Sequence, residues 1–177
     1  MAITKCEAVT HETATVARGG KYLIFILAGE TYGVEILKVR EIIGQTEITA
    51  VPQTPDYVMG VMNLRGQIIS VIDLKKKFGI ESKTNAEQNC IIIVEIEKEY
   101  RKRNMGIIVD SVEEVLNIKA ENIEDVPEFG SAVNTDFIIG IGKVGKSVRI
   151  LLDIDKILTS SEIENLASSE TIEPENS

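Results

Sequence analysis

The sequence predicts a mostly β chain: two small five-stranded barrels in tandem, packed side by side, with only short helices. Three observations predict it. The apolar runs are strand-length and separated by turn residues. Helical spacing never persists beyond a turn or two. The second half repeats the order of the first at fixed offsets.

Residues 1–20 are rich in Thr, Ala and Gly without periodicity and read as a flexible tail. Tyr22 to Leu27 is a β-rich run closed by Gly29-Glu30-Thr31, and Tyr32 to Ile36 follows at hairpin spacing. Ile36, Val39, Ile42 and Ile43 then fall at helical spacing, which predicts one or two helical turns. Ile48 to Val51 ends at Pro52, and Pro52 to Pro55 is a loop. Val58 to Arg65 and Gln67 to Asp73 form two strands around a tight turn at Gly66, where a residue without Cβ costs least. Asp73 is placed to cap a short helix, Leu74 to Phe78, that stops at Gly79.

The scheme then recurs. Cys90 to Ile96 answers the first strand, and Met105 to Val109 answers Tyr32 to Ile36. Val112, Val115 and Leu116 repeat Val39, Ile42 and Ile43 at an offset of 73. Gly140 repeats Gly60, and Asp153 repeats Asp73, at an offset of 80. Ordered matches at two offsets indicate an internal duplication. The expected organisation is a tail over 1–20, a first barrel over 21–88, a second over 89–158 and a C-terminal helix or tail over 159–177. Each unit alone buries too little surface, so the two should share a core, with a groove at the seam. Whether each barrel is continuous in sequence, or the halves exchange a strand, stays open at this level.

Composition narrows the function. Lys and Arg number 19 against 28 Asp and Glu, a net charge of −9. Phosphate backbones are held by clustered Lys and Arg, so no nucleic-acid partner is expected. No apolar run approaches the ~20 residues of a membrane span, and the N-terminus lacks the apolar core of a signal peptide, so a cytoplasmic protein without direct membrane insertion is expected. Cys6 and Cys90 form no metal pair and read as a tail thiol and a small buried hydrophobe. The single histidine, His11, lies in the tail, so no Ser-His-Asp or Cys-His site can be assembled. No catalytic residue, no metal site and no cofactor is expected. Asp110 and Asp153 end apolar strands, and helix capping is their plainer role. Lys75-Lys76-Lys77 reads as a solvated helix face. Arg65 at its turn is a candidate contact, since arginine is a frequent hot-spot residue. On spacing alone Ile36, Val39 and Ile42 read as core.

Several segments together resemble one family. These are Tyr32 to Ile43, Ile48 to Pro52, Gly60-Val-Met-Asn-Leu-Arg-Gly66 and Val71 to Leu74. In the second half they are Gly106 to Asp110, Val112 to Leu116, Val126 to Phe129 and Ile150 to Asp153. Over about residues 20–160 the chain is similar to the CheW family of bacterial chemotaxis adaptors, and the Asn63-Leu64-Arg65-Gly66 hairpin is its most specific mark.

The resemblance implies two SH3-like barrels and a non-enzymatic adaptor that joins two partners. One is the cytoplasmic tip of a methyl-accepting chemotaxis receptor. The other is the regulatory domain of the histidine kinase CheA. It implies a location at membrane receptor arrays. Matched position by position, the receptor-binding groove falls on Leu23, Ile36, Val39, Ile42 and Val112, all apolar as helix-in-groove binding requires. The receptor or kinase contact falls on Glu41, Gly60, Asn63, Arg65 and Gly66, with an ion pair expected between Arg65 and Glu41 and with Gly60 where bulk would block approach. Gly145-Lys146 stand where Arg65-Gly66 stand in the first unit, so the two barrels should present different edges. The alternative is a duplicated SH3-like peptide or nucleic-acid module outside chemotaxis.

Overall fold

The computed structural model describes residues 19–44, 46–80, 89–98, 101–127 and 136–157. The tails, with Cys6, His11 and the expected C-terminal helix, lie outside them. In chain order the strands are β1 (Gly20–Leu27), β2 (Glu30–Glu35), β3 (Val39–Ile43), β4 (Val58–Leu64), β5 (Gln67–Asp73), β6 (Cys90–Lys98), β7 (Arg101–Val109), β8 (Ser111–Ile118), β9 (Ile123–Glu124), β10 (Ile138–Val144) and β11 (Ser147–Leu152). One α-helical turn, α1 (Leu74–Lys77), follows β5, and 3-10 turns occupy Ile36–Lys38, Ala120–Asn122 and Ile154–Lys156. Asp73 caps α1, its carboxylate accepting from the Lys75 amide at 2.9 Å.

The strands form two sheets, ordered β8-β1-β2-β11-β10-β9 and β3-β6-β7-β5-β4. The mostly β class is as expected, with five main strands in each. The two-residue β9 of one sheet is answered in the other by a single bridge, Thr49 to Val61.

The question of continuity is resolved in favour of exchange. The N-terminal hairpin β1–β2 joins β11 in parallel, with Tyr32 opposite Ile150 and Val34 opposite Leu152. The hairpin β6–β7 joins β5 in the same way, with Ser70 opposite Met105 and Ile72 opposite Ile107. One sheet is therefore residues 39–109, and the other takes β1 and β2 from the first half and β8 to β11 from the second. The division at 88/89 marks the sequence repeat but not the sheets. Local patterning cannot reveal this, because strand pairing is decided by partners far apart in sequence.

Exchange explains why the longest apolar runs do not alternate with polar residues. On β6, Ile91 and Ile93 fill the interior of their own sheet, while Ile92, Val94 and Ile96 face the other sheet. On β1, Tyr22 and Ile24 point inward, and Leu23, Phe25 and Leu27 enter the seam. A strand buried on both faces reads as a continuous apolar run. The seam core is the largest of the three, drawing on both sheets and on Leu74, Ile154 and Ile157. At ~25 cal/mol per Å² of apolar surface removed from water, it holds the sheets as one body.

Two charged clamps close the seam. Asp110 accepts from Lys75 Nζ at 2.7 Å and from the Ala28 amide at 2.7 Å. Asp155 accepts from Lys38 Nζ at 2.8 Å and from the Glu97 amide at 2.8 Å. Two expectations are corrected here. Asp110 is not a helix cap but an inter-sheet ligand for Lys75. Lys75-Lys76-Lys77 is not simply a solvated face: Lys75 is mostly withdrawn from solvent and paired with Asp110, and Lys77 lies over the Tyr57 ring at 4.6 Å. Asp153 does cap, accepting from the Asp155 amide at 3.1 Å.

Candidate functional site

The segment after β2 is where the expected helix fails. Only Ile36–Lys38 forms a 3-10 turn, and Val39–Ile43 is the edge strand β3. The register against β6 shifts between Val39 and Glu41, so Val39 faces Val94 and Ile42 faces Ile92. Val94 and Ile92 both point into the seam. The bulge places two residues three apart on one face, the spacing that otherwise signals a helix. The same device recurs on the edge strand β8. There the register against β1 shifts so that Val112 pairs with Phe25 and Val115 with Leu23.

These edge strands leave apolar side chains on the rim of the seam. Ile36, Val39 and Val112 are half-buried and pack on the seam core. Ile42 and Val115, 73 residues apart, are 43% and 46% exposed. Leu37, at the tip of the 3-10 turn, is 86% exposed. Leu23 is different: at 2% exposure it lies inside the core and supports the rim from beneath, so it offers no surface to a partner. Neither Leu37 nor Val115 was among the expected contact residues, although Val115 was named as the repeat of Ile42. Carrying the groove role of Ile42 across that offset would have placed Val115 on the rim; nothing in the sequence separates Leu37 from its apolar neighbours.

Beside this rim stands the β4–β5 hairpin. Arg65 and Gly66 have φ of 52° and 88°, the pattern of a type I′ turn between Leu64 and Gln67. The Gly66 amide donates to Asn63 Oδ1 at 2.8 Å, which fixes the turn. The left-handed conformation costs a residue with a Cβ about 1–2 kcal/mol. The guanidinium of Arg65 reaches back to β3 and donates to both carboxylate oxygens of Glu41, at 2.9 and 2.8 Å. The side chain of Arg65 is nevertheless 77% exposed. An exposed pair adds only ~0–1 kcal/mol, so the fork's main effect is to hold Arg65 in one pose. The corresponding hairpin of the second unit has its left-handed glycine first, at Gly145 with φ of 61°, and its turn, Gly145-Lys146, carries no arginine.

Gly60 serves a different end from the one expected. A Cβ there would lie 2.0 Å from the Thr49 carbonyl oxygen, and its φ is 137°. Val61 exchanges two 2.8 Å hydrogen bonds with Thr49, drawing that segment against β4. Bulk at Gly60 strikes the protein's own backbone, not an approaching partner.

Electrostatics at the rim centre on the Lys38 clamp. Burial, then the Asp153 and Asp155 carboxylates, push Glu35 above its usual range, with Lys38 opposing. Burial pulls the Lys38 ammonium down, but its hydrogen bond to Asp155 and the charges of Asp155, Glu35 and Glu97 outweigh that and raise it. Among the described residues no group of three or more His, Cys, Asp or Glu is placed to hold a metal. No helix among them is long and apolar enough to cross a membrane.

Comparison with known proteins bears on this arrangement. Residues 21–162 match the profile of the CheW-like domain. The chemotaxis protein CheW of Klebsiella aerogenes is 40% identical over 165 residues, spanning 92% of this chain and 97% of that protein. That of Treponema pallidum is 31% identical over 148 residues, spanning 81% and 85%. The crystal structure of the scaffolding protein TtCheW from Thermoanaerobacter tengcongensis aligns with a TM-score of 0.72 at 38% identity, covering 81% of this chain and 95% of that one.

Proposed function

The chain belongs to the CheW-like domain family of chemotaxis adaptors, and on that premise we propose that it couples the cytoplasmic tip of a methyl-accepting receptor to the regulatory domain of a CheA-type histidine kinase. The proposal places it in the cytoplasm, at receptor arrays. It acts by contact, with no reaction assigned to it.

The observation that carries the reading is the apolar rim. Leu37, Ile42 and Val115 are exposed beside the half-buried Ile36, Val39 and Val112, and an arginine braced by Glu41 stands next to them. A helical receptor tip can lay its apolar face on such a surface. The braced arginine supplies a pre-set donor fork, whose side-chain entropy is already lost before binding. The alternative of a module outside chemotaxis draws no support from the relatives, and the net charge of −9 opposes nucleic acid.

Calorimetric titration into the regulatory domain of a CheA-type kinase from the same organism tests the proposal. Binding near 1 μM, about −8 kcal/mol, is expected. With both proteins folded, no heat at high concentration would overturn the kinase assignment.

A further inference from the structure

The sheet of residues 39–109 carries a polar groove that the adaptor reading does not use. It encloses about 480 Å³, and its charged and amide lining comes from Arg40, Gln67, Glu95, Lys102, Arg103 and Asn104. Three cations thus meet one carboxylate, and that carboxylate, Glu95, is paired with Arg40. Within this lining cations outnumber carboxylates, an arrangement that favours an anionic group.

The chain supplies an anionic segment nearby. Residues 159–177 contain Glu162, Glu164, Glu170, Glu173 and Glu175 and no Lys, Arg or His. The point where the chain leaves the described structure is anchored beside the groove. Asp155 bonds Lys38 Nζ and the Glu97 amide, both at 2.8 Å. Groove-lining Arg40 is two residues from Lys38, and Glu95 is two residues from Glu97. Two residues along a strand span only ~7 Å. The segment beyond reaches up to ~60 Å when extended, and closing a tethered loop of this length adds little cost. A short tether also gives an effective concentration on the order of mM, so a weak site suffices.

We infer that the groove binds a carboxylate-rich peptide, and that its occupant is the chain's own acidic C-terminal segment, residues 159–177. The segment then competes in cis with any acidic stretch of a partner that approaches this end of the sheet.

The test compares amide NMR spectra of the full chain with those of a variant carrying E162Q, E164Q, E170Q, E173Q and E175Q. The backbone amides of Gln67, Lys102 and Asn104 are expected to differ between the two. The wild-type signals should move toward the variant's as salt rises from ~0.05 to ~0.5 M, which shortens the screening length. A synthetic peptide of residues 159–177 added to the variant should restore them, and R40Q with K102Q on that background should weaken this at least about tenfold. Changes confined to residues 157–177 would overturn the inference. So would groove amides that titrate with millimolar inorganic phosphate identically in both proteins, which would mark a small-anion site with no tail in it.

Discussion

Lys75 and Asp155 stand at equivalent places in the two repeats, 80 residues apart, and carry opposite charges. Each closes the seam with a partner of the other sign, Lys75 on Asp110 and Asp155 on Lys38. Each clamp also takes a backbone amide, from Ala28 in one and Glu97 in the other. The duplication kept the position and inverted the charge.

The two clamps differ in burial, and this sets unequal costs. Lys75 and Asp110 are 12% and 9% exposed, whereas Lys38 and Asp155 are each 26% exposed. Removing one partner of a buried pair strands the other charge. Lys75→Met should therefore lower stability by about 3 kcal/mol in urea denaturation, and Lys38→Met by about 1 kcal/mol. Equal losses would show that burial does not distinguish the clamps.

Exchange of strands predicts that neither repeat folds alone. Fragments 1–88 and 89–177, expressed separately, should give disordered amide spectra, and mixing them should restore dispersion. A folded 1–88 fragment would contradict the pairing of β2 with β11 and of β5 with β7.

At Gly60 the expected defect is in folding. Gly60→Ala places a methyl against the Thr49 carbonyl and demands a left-handed backbone. A loss of about 2 kcal/mol or more is expected. Partner affinity, measured on the folded fraction, should stay within about twofold. A stable variant that fails to bind would reassign Gly60 to the contact surface.

Leu37 and Arg65 should show the reverse pattern. Leu37→Ser removes an 86% exposed side chain, and Arg65→Gly relieves a left-handed residue at its turn. Neither should lower the melting temperature by more than a few degrees, and Arg65→Gly should raise it slightly. Leu37→Ser should weaken receptor binding more than kinase binding, and Arg65→Gly should weaken array assembly. Unchanged binding in both would remove the rim from the functional surface.

Glu35 makes stability depend on pH. Its carboxyl is held above the ordinary 4.5, so between 4.5 and its folded value the native state binds more protons than the unfolded state. Stability therefore falls as pH rises through that window, and the deficit persists at pH 7. Glu35→Gln should stabilise the protein at neutral pH and do nothing below pH 4.5. Lys38 adds a second falling limb at alkaline pH. Its folded value lies above 10.5, so its contribution is complete below pH 10.5 and is lost as pH climbs through the folded value.

The strands and the repeat were legible because alternation, turns and fixed offsets are local signals. Resemblance to a family led to the Arg65–Glu41 fork, which the geometry reproduces at 2.9 and 2.8 Å. The seam was not legible in the same way. A run such as Cys90 to Ile96 shows that both faces are buried without telling which residue enters which core. Leu23, matched to the groove by resemblance alone, lies inside the core at 2% exposure. The helix expected over Ile36 to Ile43 failed because a bulge in a strand produces the same three-residue spacing. Asp110 and Lys75 meet across 35 residues of chain, a separation at which charge pairing leaves no sequence trace.

The parallel pairing of Tyr32 with Ile150 makes the two sheets alike in space and unlike in time. On the ribosome, the sheet of residues 39–109 has all its strands once β7 has emerged. The N-terminal hairpin, made first, must wait for β11, some 118 residues later, before the free edge of β2 is covered. Closure of so long a loop is slow, and an uncovered edge strand invites pairing with other chains. Nascent chains stalled before residue 147 should therefore depend on holding factors in a way that the finished protein does not.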